Sequence, residues 1–344
     1  MIKNLQNNLN YRRFKKAQRR KKKIKRRKII GLVYNYINLK SKIVLRDIIK
    51  VPTVFNYLEN PLKCNYFFNQ LRQRDNCNVV RGKYFFKICF QKTIDVDFAA
   101  ISILKSIIEE ATLSGISFSG NLPKDNICAK KIEQYGFLNN LKYNGNIDIK
   151  SYGEHLSYRK KSGKITIDDM KDFNNISEKA YLKITNRDGF FDELITVFKE
   201  IGSNAVEWSN SKGKQWMIGF YHDKDKIVIN ITDLGRGILE SLHRGKRLQL
   251  IDYFFLRGSL QILERAFERK YGSLSQEVNR NKGLPFIKKT YEDNKVKNLI
   301  VSTNDIFYNF DRIDKCVTSQ LESTSFSGTF YQWEIDKNCV QYYD

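Results

Sequence analysis

Residues 191–209 read FDELITVFKEIGSNAVEWS. Leu194, Val197, Phe198, Ile201, Ala205 and Val206 recur at helical spacing, which predicts a helix with one face turned into a core. Glu200 and Asn204 stand four apart and therefore project to one side of that helix. A carboxylate beside an amide oxygen suits a site that orders a hard cation and a water. The amide ligates without adding charge, and the carboxylate can take a proton. Taken alone, the pair reads as an ordinary solvated face.

Moving outward, Lys226-Ile227-Val228-Ile229-Asn230-Ile231-Thr232 has the composition of a strand and runs into Asp233-Leu234-Gly235-Arg236-Gly237. An Asp at a strand end presents a carboxylate that can accept from an exocyclic amine, as adenine offers and guanine does not at the same position. The two glycines let the backbone approach a ligand closely and adopt positive φ. Further on, Asn281-Lys282-Gly283-Leu284-Pro285 predicts a glycine-led entry into a helix, since proline is tolerated in a first helical turn. Free N–H groups there, with Lys282 and Arg280 close by, would receive phosphate oxygens. The stretch from Ser325 to Ile335, containing Gly328-Thr329, predicts a strand.

In this order the four elements resemble the GHKL superfamily, the histidine-kinase-like ATPases, over roughly residues 165–336. The resemblance implies a two-layer α/β sandwich binding Mg-ATP under a mobile lid, in a C-terminal domain spanning 151–344. Asn204 would ligate Mg²⁺, Asp233 would bind the adenine amine, and Thr329 would support it through water. Gly235, Gly237 and Gly283, with Lys282, would frame the nucleotide, and Glu200 would orient the attacking water. Gly283 stands alone where the family usually has two or three glycines. This Gly-Leu-Pro variant looks like that of STAS-associated ATPases. The segment from Ile238 to Arg280, with apolar-periodic helices around 248–256 and 260–271, would form the lid region.

Upstream, residues 41–150 predict a small α/β layer. A strand at 84–90 precedes a helix at 97–112, a strand at 116–120 and a helix at 127–135, with Gly115 and Gly136 closing the two helices. About 65 residues of this stretch resemble a STAS domain, carried by DVDFAAISILKSIIEEA, GISFSGNLP and AKKIEQYGF. The family's regulatory serine would open the first helix, but Asp97-Phe98-Ala99-Ala100 offers no hydroxyl before Ser102. A docking or scaffold role, with a protein partner at this domain, is the better reading.

The chain has 344 residues and a formal net charge of +24. Residues 1–40 hold 15 Lys and Arg, whereas all 37 acidic residues lie beyond them. This reads as an appended basic arm. Its densest part is Arg12, Arg13, Lys15, Lys16, Arg19, Arg20, Lys21, Lys22, Lys23, Lys25, Arg26, Arg27 and Lys28. Such a run could bind RNA or DNA through counterion release, with no residues that read bases. It would serve equally as a solubilising tail or a contact for an acidic surface.

An aromatic content of 13% and an apolar content of 41% support real cores. The six cysteines form no CxxC pair, and the three histidines are too scattered for a metal site. No stretch approaches the roughly 20 apolar residues of a membrane span, so the expectation is a soluble, cytoplasmic protein, monomeric or oligomeric. The composite reading is an ATP-binding, ATP-hydrolysing regulatory protein. A serine/threonine kinase of the anti-sigma type and a nucleotide-sensing nucleic-acid-binding module are its rivals.

Overall fold

The computed structural model describes residues 43–80, 82–138, 156–208, 215–244, 258–268 and 283–340. The basic arm, Lys282 and the first lid segment lie outside them. The fold is mixed α/β. Strands β1 (Ile43–Val44), β2 (Ile49–Lys50) and β3 (Val54–Phe55) precede helix α1 (Pro61–Arg72). After it come β4 (Asn78–Val80), β5 (Lys83–Cys89), β6 (Asp95–Val96), α2 (Phe98–Leu113), β7 (Ile116–Asn121) and α3 (Asn126–Gln134).

The predicted strand–helix–strand–helix alternation is present. β5 and β7 pair in parallel from Tyr84 opposite Ile116, with α2 as the crossover between them. The helix starts are fixed by carboxylate caps. Asp97 accepts from the N–H of Ala100 at 2.7 Å and Asp125 from that of Cys128 at 2.7 Å. Gly115 (φ +76°) and Gly136 (φ +66°) supply the left-handed turns that end them. β5 also pairs with β4 and with β2, and β3 pairs with β6.

The C-terminal part adds β8 (Leu156–Ser162), α4 (Ile167–Thr185), α5 (Asp192–Trp208), β9 (Gln215–Asp223), β10 (Lys226–Asp233), α6 (Ile238–Arg244), α7 (Ser259–Phe267) and α8 (Gly283–Glu292). It ends with β11 (Lys297–Asn304), β12 (Ile306–Asn309), β13 (Val317–Thr318) and β14 (Phe326–Asp336). A capping box opens α4, with Thr166 and Asp169 exchanging side-chain and backbone hydrogen bonds.

Seven strands form one sheet in the order β13-β12-β11-β14-β10-β9-β8, and every pairing is antiparallel. One face carries the large core of Phe198, Ile229, Ile231 and Trp333, closed by α4, α5, α7 and α8. The other face is covered too. α2 packs on β9 and β10, and α1 on β14. Tyr57 meets Phe307 and Phe330 edge to face, at centroid separations of 5.7 and 5.4 Å. A second hydrophobic cluster therefore runs continuously from Phe55 and Leu104 to Phe326 and Phe330. The two layers expected of the C-terminal part become three because the N-terminal unit covers the open face of its sheet. Among the described residues, no helix is long and apolar enough to cross a membrane.

Candidate functional site

Glu200 and Asn204 sit one turn apart on α5, both half-buried. Between them Gly202 faces the sheet. A Cβ built there would lie 2.6 Å from the Trp216 ring, so only glycine lets α5 approach β9 so closely. Gly283, the first residue of α8, lies over the polar pair. A Cβ at Gly283 would be 2.8 Å from Glu200 Oε2 and 3.2 Å from Asn204 Nδ2. The helix start, the carboxylate and the amide are thus in direct contact, although about 80 residues separate them along the chain.

Asp233 ends β10, opposite Trp216 on β9 and Thr329 on β14. Residues directly opposite in an antiparallel ladder share a face, so all three point toward α5. Asp233 is 7% exposed. Its Oδ1 accepts from the Gly235 N–H at 2.9 Å, and the Thr329 hydroxyl donates to it. Burial pushes the carboxyl up to about 6; the hydrogen bonds from Gly235 and Thr329 and the charge of Arg72 oppose that shift.

The turn after Asp233 is tied to the end of β11. Thr303 Oγ1 accepts from Ile238 N–H at 2.8 Å, Asn304 Oδ1 accepts from Leu239 N–H at 3.0 Å, and Asn304 Nδ2 donates to the Arg236 carbonyl at 2.8 Å. These bonds satisfy the first donors of α6 and fix the turn at Gly237 (φ +84°). A side chain at Gly328 (φ +141°) would overlap the Asp233 carbonyl. Thr303 and Asn304 went unread in the sequence, where only their position at the end of an apolar run could have marked them.

The structure gathers the candidate residues into two groups. Glu200, Asn204 and Gly283 form one; Asp233, Gly235, Gly237 and Thr329 form the other. Gly202 against Trp216, the cross-strand neighbour of Asp233, joins them. Beside the second group opens a cleft of about 540 Å³ lined by Arg72, Glu110, Gly235, Arg236, Glu240 and Ser327, among others. Arg72 and Glu110 come from the N-terminal unit, and no sequence pattern assigned them to a site. Lys282 and the cations of residues 12–28 fall outside the described residues.

No group of three or more His, Cys, Asp or Glu capable of holding a metal occurs among the described residues. One amide and one carboxylate under a glycine cradle make a poor cage for a bare ion. They fit Mg²⁺ that keeps phosphate and water as its other ligands. Compared with known proteins, the sequence matches no family model and no curated protein significantly.

Proposed function

We propose that the chain binds Mg-ATP against the α5 face of its seven-stranded sheet and hydrolyses it. One observation carries the reading: Gly283 stands over Glu200 and Asn204 on the same face of the sheet to which the buried Asp233 is turned. The Asp233 carboxylate accepts from the adenine amine, with Thr329 holding its orientation. Gly235 lets the backbone approach the nucleotide closely, and Gly237, packed against Thr303 and Asn304, holds the turn that frames it. The start of α8 presents N–H groups to phosphate oxygens.

The Asn204 amide oxygen would hold Mg²⁺, which when bound would supply charge neutralisation at the phosphates. Glu200 accepts a proton from a water whose oxygen bonds to the γ-phosphorus. The bond from that phosphorus to the bridging oxygen breaks, and ADP leaves with the electron pair. The test is Glu200→Ala with ATP binding and phosphate release measured together. Binding persists while turnover falls by about 10²–10⁴-fold, the usual contribution of a general base. Equal turnover in wild type and variant removes Glu200 from the chemistry.

A further inference from the structure

We propose that Arg72, from the N-terminal unit, is a positioning residue for the adenine end of this pocket. The inference rests on the nucleotide reading above and goes beyond it, because it makes the N-terminal unit part of the site.

The β10–β14 ladder stops at the pair Asp233 and Thr329. Immediately past that pair, the two strands are bridged by one side chain. Arg72 Nη2 donates to the Leu234 carbonyl at 2.9 Å, and Nη1 donates to the Ser327 carbonyl. A planar guanidinium has two donors at fixed separation, which suits it to span two backbone segments; an ammonium cannot do so with the same geometry. The bridged carbonyls belong to the residue after Asp233 and the residue two before Thr329, so the fork sets the spacing of the two side chains proposed to meet adenine.

Arg72 is itself held on both sides. Asn65, Asn69 and Arg72 recur at i, i+4 and i+7 and so share one face of α1. Asn65 Nδ2 donates to Thr324 O at 3.0 Å, and Asn69 Nδ2 donates to Ser325 O at 2.8 Å and Ser323 O at 3.0 Å. This face therefore grips the backbone leading into β14 at three successive points. From α2, Glu110 pairs with the guanidinium at 3.7 Å. The charged and titratable groups acting on Asp233 are Arg72 from α1 and Glu110 from α2, with Tyr331 beside it on β14. Arg72 favours the charged carboxylate, and Glu110 opposes it.

The experiment titrates the full chain with Mg-ATP between pH 5 and 8 as wild type, Arg72→Gln, Arg72→Lys and Glu110→Gln. It also follows the Asp233 carboxyl by ¹³C NMR without nucleotide. In Arg72→Gln the carboxyl titrates at higher pH, and the acid limb of ATP binding moves with it, at about tenfold in affinity per unit below the pKa. Arg72→Lys keeps the charge and the limb but binds ATP more weakly, because the fork is lost. Glu110→Gln moves the limb to lower pH, and together with Arg72→Lys it decides the matter if Arg72→Gln does not fold. Arg72→Lys binding Mg-ATP as tightly as the wild type, with the Asp233 titration unmoved in Arg72→Gln, would overturn the positioning role. Failure of the wild type to bind ATP at any pH overturns the nucleotide reading and this role with it, and differs visibly from the first outcome.

Discussion

The two faces of the seven-stranded sheet are buried by different means. Toward α5, β10 turns Ile227, Ile229 and Ile231, and β14 turns Tyr331, Trp333 and Ile335. Among the described residues, the indole nitrogens of Trp216 and Trp333 are buried there without a hydrogen-bond partner. Toward α2, β10 turns Val228, Asn230 and Thr232, with Gln332 beside Asn230 on β14. Asn230 Nδ2 reaches Ser102 at 3.0 Å, while Asn230 Oδ1, Thr232 Oγ1 and Gln332 Oε1 have no hydrogen-bond partner. Lys105 is buried at the same interface, and burial lowers its pKa. Unsatisfied buried groups cost stability where apolar ones add it. The α5 face is therefore the folding core. The α2 face adheres through its aromatic end, around Tyr57 and Phe330, and pays for its polar end.

The sharpest way to break this contrast is to cut into each face in turn. Trp333→Ala removes a side chain 1% exposed that lies 6.2 Å from the Phe198 ring. It should cost about 3–5 kcal/mol in urea unfolding. Gln332→Met, one residue away on the opposite face, should be neutral or stabilise by up to about 1 kcal/mol, since it deletes a buried amide oxygen that has no hydrogen-bond partner. Equal losses from the two variants would contradict the distinction.

Gly219→Ala probes the α2 face alone. A Cβ at Gly219 would lie 3.1 Å from the Phe98 ring and would overlap the Asn230 amide. The expected cost is about 1–3 kcal/mol. Hydrogen exchange should rise in α2 while α5 stays protected, and protection lost equally in both helices would mean that the faces are not separable.

A smaller effect concerns pH. Burial raises Asp97 to about 6, against hydrogen bonds from the N–H groups of Ala100, Tyr57 and Leu58. A folded-state pKa above the unfolded value means that the native protein holds the extra proton between about pH 4 and 6. Asp97 therefore lowers stability as pH rises through that window. Asp97→Asn keeps the cap acceptor for the Ala100 N–H, gives up the Oδ2 that accepts from the Leu58 N–H at every pH, and removes the titration. The stability profile between pH 4 and 6 should change by roughly 1–2 kcal/mol in the upward direction relative to wild type. Parallel profiles would show that Asp97 is not titrating there.

Much of this architecture was legible locally. The helices at 98–113 and 192–208 announce themselves through apolar spacing, and Gly115 and Gly136 punctuate them. Glu200 and Asn204 read as one helix face from their spacing of four, and the start of α8 at Gly283 lies against them. The unread parts are tertiary. Nothing in the sequence around Arg72 says that its guanidinium bridges carbonyls more than 150 residues away, and Asn230 and Gln332 read as ordinary interruptions of strands. The capping box at Thr166 and Asp169 was readable in principle, since Thr followed three residues later by an acidic residue is a helix-start signal. That β8 closes the sheet depends on its pairing with β9, which no local pattern in β8 encodes.

The central claim is that the α5 face of the sheet ends in an adenine-reading carboxylate. Calorimetric titration of Mg-ATP into wild-type and Asp233→Asn protein at pH 7 tests it most directly. The account predicts binding to the wild type, weakened by about 1.5–3 kcal/mol in Asp233→Asn through loss of a charged acceptor. Unchanged affinity in a folded Asp233→Asn protein, or no binding by the wild type, would contradict it.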